Sequence, residues 1–63
     1  MMNFNDGSRI EIRICNYLWV FVRIAGAWED AQASVRTEVE ADTVRNRIST
    51  ALCMGGDVRI TRG

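Results

Sequence analysis

From Tyr17 the chain reads Tyr-Leu-Trp-Val-Phe-Val, six apolar side chains in a row before Arg23 brings the first charge. Side chains of a strand point alternately to its two faces, so a strand open to water on one side alternates apolar with polar residues. This one does not, and both of its faces need cover. The stretch before it is conventional. Arg9, Glu11 and Arg13 alternate with Ile10, Ile12 and Ile14, which predicts a half-buried strand over 9–14. Cys15 and Asn16, with or without Tyr17, turn the chain into a second strand over about 18–25, and Gly26 marks a bulge or the strand's end. Asp6-Gly7 is a tight-turn signal, so residues 1–7 read as a weak edge that pairs back through residues 2–5 or frays.

The segment 28–54 is rich in Ala, Glu, Gln and Arg, a helical composition. At 100° per residue, however, Trp28, Ala31, Val35 and Val39 form one stripe and Val44, Ile48 and Leu52 another nearly opposite, so a single straight helix would carry two apolar faces. Val35, Thr37, Val39 and Ala41 alternate with Arg36, Glu38 and Glu40, which predicts a third strand over 35–41. Asp42 then serves as the N-cap of a helix over 43–54, with Val44, Ile48, Ala51 and Leu52 facing the core and Gly55-Gly56 as the stop. Residues 57–62 then close as a fourth strand, with Val58 and Ile60 inward and Arg59 and Thr61 outward. The expected architecture is α+β: a small, mostly antiparallel β-β-β-α-β sheet in one domain over 1–63, with one helix across one face.

The length of the first turn decides which side chains share a face. A three-residue loop, Cys15-Asn16-Tyr17, pairs Ile14 with Leu18, Ile12 with Val20 and Ile10 with Val22, and leaves Trp19 and Phe21 among Arg9, Glu11 and Arg13. A two-residue loop groups Ile10, Ile12 and Ile14 with Tyr17, Trp19 and Phe21 and strands Leu18, Val20 and Val22 among the charges. We expect the first, because a flat aliphatic face suits the Val/Ile/Leu stripe of the helix. Trp19 and Phe21, with Arg9, Arg13 and Arg23 around them, are then the candidate contact surface for a protein partner or a second copy of the chain, the composition in which interface energy concentrates. Trp28 is assigned to packing within the fold.

Composition narrows the chemistry. Eight Arg and no Lys balance eight acidic residues, so there is no net positive field for a polyanion or an anionic membrane. The longest apolar run is far short of a membrane span, and the first residues lack the basic start and apolar core of a signal peptide, so the expected location is cytoplasmic. With no His and only Cys15 and Cys53, far apart, the usual zinc spacings and the usual general base are missing. We expect two free, partly buried thiols, no cofactor, no metal and no catalytic residue. At 63 residues the chain is near the lower limit for folding alone.

The expected function is therefore a non-enzymatic protein-binding module that inhibits or regulates its partner. Small size, Arg without Lys and the lack of catalytic groups resemble compact products of phages and mobile elements that bind and block a host protein, such as a CRISPR surveillance complex. The runner-up is a homodimeric nucleic-acid-binding regulator whose aromatic sheet face stacks bases. The acids Glu11, Glu38 and Glu40 weigh against it.

Overall fold

Ile14 faces Tyr17 across a link of only Cys15 and Asn16, and that pairing propagates along two strands, setting Ile12 opposite Trp19 and Ile10 opposite Phe21. The computed structural model describes residues 4–63. Its elements run β1 (Arg9–Ile14), β2 (Tyr17–Ile24), β3 (Ala27–Asp30), β4 (Glu38–Val39), α1 (Ala41–Cys53) and β5 (Asp57–Thr61). The five strands form one sheet in the order β4-β3-β2-β1-β5, every neighbouring pair antiparallel. With α1 lying across one face, this is an α+β fold.

The two-residue turn overturns the three-residue register expected from the sequence. The reason lies in what the helix covers. Antiparallel neighbours share a face, so Ile10, Ile12 and Ile14 now stand beside Tyr17, Trp19 and Phe21, and of these rings Phe21 goes fully and Trp19 partly under cover with them. Phe21 is 3% exposed and joins Ile10, Ile12, Ile14, Trp28, Val44 and Ala51 in the core, with Phe4, Trp19, Val39, Ile48 and Val58 packed around it. Burying a large ring removes more apolar area from water than burying Val or Leu would.

A further hairpin escaped the sequence pattern. Ala25 and Gly26 have φ of +51° and +79°, both positive as in a type I′ turn, and return the chain at once into β3, where Trp28 pairs with Arg23. The third strand expected over 35–41 shrinks to the two residues of β4, because β3 already occupies the place beside β2 and Val35 is left exposed. Between them the chain bends over 31–37, tied by Asp30, which donates its N–H to the Thr37 carbonyl (2.9 Å) and accepts the Gln32 N–H on Oδ1 (2.9 Å). Residues 4–7 form no strand. The Gly7 N–H reaches the Arg23 carbonyl (2.7 Å), and the Asp6 carboxylate accepts the Gly26 N–H (3.0 Å). The expected pairing of residues 2–5 lies partly outside the described residues.

Helix α1 starts two residues before the expected position. Glu40, with extended φ and ψ of −69° and 148°, holds the N-cap place without a side-chain bond, and its carbonyl accepts the N–H groups of Thr43 (3.0 Å) and Val44 (3.3 Å). Asp42, expected to cap, lies in the first turn and pairs with Arg45 one turn on. The far end stops as the glycines predict. Gly55 has φ of +73°, and the Gly56 N–H bonds back to the Ala51 carbonyl (2.8 Å), a Schellman arrangement. A Cβ on Gly56 would collide with the Arg13 carbonyl oxygen, so β5 can begin this close to β1 only through glycine.

Of the expected helix contacts, Val44, Ile48 and Ala51 pack inward but Leu52 does not: it is 68% exposed. It lies about 80° around the helix from Val44, on the flank rather than the underside. Both cysteines are free and exposed rather than partly buried, Cys15 in the hairpin turn and Cys53 at the last position of α1.

Two stability measurements follow from this packing. In urea melts followed by circular dichroism, Val44→Ala is expected to cost about 2 kcal/mol in lost burial and residual cavity, whereas Leu52→Ala stays within about 0.5 kcal/mol of the parent. Equal losses from the two variants would mean that the helix is rotated on the sheet. Ala25→Asn is expected to raise stability by about 1 kcal/mol, because Asn tolerates the left-handed conformation that Ala resists; a lowered midpoint would contradict the turn assignment.

Candidate binding surface

The register that sets the aromatic row on the helix-covered face sets an aliphatic row on the other. Leu18, Val20, Val22 and Ile24 alternate with the buried rings along β2 and point to the face of the sheet away from α1. Val20, in the middle of the row, is packed among its neighbours, but Leu18 is 39% and Ile24 43% exposed. Across β1 the same face carries Arg13 beside Leu18, Glu11 beside Val20 and Arg9 beside Val22. Beyond them on β5 stand Asp57 opposite Arg13 and Arg59 opposite Glu11. On the other side are Glu29 of β3 and Glu38 of β4.

Charges on this face are matched locally. Arg9 Nε lies 3.1 Å from Glu11 Oε2. Arg36, from the 31–37 segment, grips the Glu29 carboxylate, with Nε 3.1 Å from each oxygen and Nη2 on Oε2 as well. This hydrogen bonding holds the Glu29 pKa below its ordinary value, and the carboxylates of Glu29 and Glu38 hold the Arg36 guanidinium in its charged form. Where β1, β2 and β5 meet, Glu11, Arg13, Leu18, Asp57 and Arg59 line a shallow depression of about 120 Å³. It is smaller than the clefts that enclose drug-sized ligands, roughly 300–1,000 Å³. The face thus presents exposed apolar side chains at the two ends of the row, Leu18 and Ile24, with guanidinium and carboxylate groups beside them and Val20 buried between them.

The five residues expected to form one surface divide between the two faces. Arg9 and Arg13 are on the open face. Trp19, Phe21 and Arg23 are on the helix-covered face, Phe21 in the core, Trp19 half-buried with the Arg47 guanidinium 5.1 Å from its ring centroid, and Arg23 placed 5.3 Å over the Trp28 ring. Phe4 meets Trp28 edge to face at 5.4 Å, and Arg62 lies 5.0 Å over Phe4. The aromatic row is consequently no open platform for stacking bases; only Tyr17 at its end, stacked on Trp19 at 5.8 Å, is largely exposed. Leu18, Val22, Ile24 and Arg59 join Arg9 and Arg13 instead, and the two-residue loop was the signal that would have found them.

No family model matches the chain, and neither the curated proteins nor the solved structures yield a match. No helix among the described residues is long and apolar enough to cross a membrane.

The Glu29–Arg36 contact has a pH signature. A carboxylate whose folded pKa lies below its ordinary value of 4.5 stabilises the fold above that value, and the contribution disappears as pH falls through the lower folded pKa. Thermal melts between neutral and acid pH should therefore show a loss of midpoint below pH 4.5 that is smaller in Glu29→Gln, which starts less stable at neutral pH. Parallel pH profiles for the two proteins would show that the contact contributes nothing.

Proposed function

We propose that this chain is a non-enzymatic protein-binding module, acting as an inhibitor or regulator of the protein it binds, and that its binding surface is the open sheet face around Leu18, Val22 and Ile24 with Arg9, Arg13 and Arg59. The observation that carries this reading is the pair of exposed aliphatic side chains, Leu18 and Ile24, in a row on the sheet face opposite the one that α1 covers. An apolar strip rimmed by polar groups is the usual mark of an interaction site, and guanidinium groups beside it add planar hydrogen bonding to the contact. The zero net charge and the alternating signs around the strip favour a protein over a polyanion.

A Leu18→Ser, Ile24→Ser double variant changes the two most exposed positions of the row and leaves the core intact. Immobilised wild-type chain is expected to retain a specific protein from a lysate of the source organism. The double variant should bind that protein at least about tenfold more weakly, roughly 1.4 kcal/mol, while Arg45→Ala on the helix retains it normally. Equal retention by all three proteins, or loss with Arg45→Ala alone, would place the contact elsewhere.

A further inference from the structure

The two edges of the sheet are unlike. At one edge β4 is two residues long and carries Glu38, with Glu40 directly after it, a short acidic edge of the kind that discourages pairing. At the other edge β5 offers five residues, Asp57–Thr61, with no Pro, Lys or bulge to blunt it. The outward main-chain groups on β5 can be identified. Arg23 donates its N–H to the Ser8 carbonyl (2.9 Å), so Ser8 and the residues in phase with it on β1, Ile10 and Ile12, are bonded towards β2. Arg9, Glu11 and Arg13 are then bonded towards β5, and their partners Thr61, Arg59 and Asp57 face inward. Val58 and Ile60 are left with their N–H and C=O groups at the edge.

We propose that β5 pairs antiparallel with β5 of a second copy of this chain about a two-fold axis, with Val58 opposite Val58 and Asp57 opposite Arg59. An isologous pairing of this kind joins two sheets into one of ten strands and closes on itself. The register follows from charge. With Val58 at the axis, each Asp57 meets an Arg59 of the other copy, and the row across the open face reads Glu11, Arg59, then Asp57 and Arg13 of the second copy, alternating in sign throughout. A shift of two residues one way sets Arg59 against Arg59, and the other way Asp57 against Asp57. A shift of one residue would put the two helices on opposite faces and mix apolar with charged rows.

On the helix face the same register continues the apolar layer, Ile12 and Val58 meeting Val58 and Ile12, while Ile60 falls opposite Gly56, which has no side chain. It also accounts for two exposed side chains on this flank. Ile60 is 43% exposed, and Leu52 lies about 140° around α1 from Arg47, which leans on β2, so Leu52 is on the β5 side. Pairing at β5 brings both beside the seam. The seam shares Arg59 with the face proposed for partner binding, but sedimentation of the chain by itself reads the pairing without a partner, whereas the Leu18→Ser, Ile24→Ser variant reads partner binding without touching the seam.

The test is sedimentation equilibrium on the wild-type chain and on Asp57→Arg and Arg59→Asp, each made separately. The wild type is expected at twice its 7.1 kDa chain mass. Each variant alone places like charges across the seam and should sediment as a monomer, and an equimolar mixture of the two should return to the dimer, because Arg then meets Asp in both pairs. A wild-type monomer, single variants that dimerise like the parent, or a mixture that stays monomeric would overturn the proposal. Should either variant fail to fold by circular dichroism, the unmodified protein decides: a mixed isotope-labelled sample is expected to show an intermolecular contact between the α-protons of Asp57 and Arg59, and its absence is disproof.

Discussion

Two residues, Cys15 and Asn16, are all that connect β1 to β2, and because side chains alternate along a strand, that even number decides which way every side chain of the hairpin faces. With two residues in the turn, the isoleucines of β1 and the rings of β2 lie on one face and need a single cover. The remaining strands inherit the choice. Trp28 follows Arg23 onto the covered face through the pairing of β2 with β3, and Val58 and Ile60 follow Ile12 and Ile10 through the pairing of β1 with β5.

The cover is supplied economically. A 13-residue helix contributes Val44, Ile48 and Ala51, while Phe4 and Trp28 close the end towards the β2–β3 turn. Glycines make the geometry attainable at the other end. Gly55 takes the left-handed conformation that ends the helix, and Gly56 lets the chain pass against the Arg13 carbonyl before β5 pairs with β1. With its helix on one face, the chain brings the 31–37 segment to the other, where Arg36 pins it to Glu29 at the β3 side. Leu18 and Ile24 at the ends of the β2 row, and Ile60 on the edge strand β5, stay exposed.

Much of the candidate surface was legible without coordinates, though not in its details. That β2 is apolar on both sides, and that one side must look outward among the charges of β1, follows from eight consecutive residues. Which side does so does not follow. Arg9 and Arg13 are on the open face in either register, whereas Trp19 and Phe21 exchanged places with Leu18 and Val22 on a difference of one residue in the loop. Arg23 went with the rings because it shares their phase along β2, and its guanidinium found Trp28.

Local signals settled the elements that depend on neighbours in the chain. The alternation of β1, the two-glycine stop of the helix and the alternating close at β5 are consequences of residue conformation and period, and they appear where the pattern puts them. Competition between distant segments decided the rest. Residues 35–41 alternate as well as any strand, yet β3 took the position beside β2 through a turn at Ala25-Gly26 that carries only one glycine as a signal. Helix α1 began at Ala41 rather than at Thr43 behind a capping Asp42, in the orientation that buries Val44 and Ala51, and Leu52, equally apolar, was left on the flank. Sequence periodicity specifies that a face is apolar; which of two apolar faces is covered depends on how much area the whole chain can bury at once, and that is a property of the assembled sheet and helix.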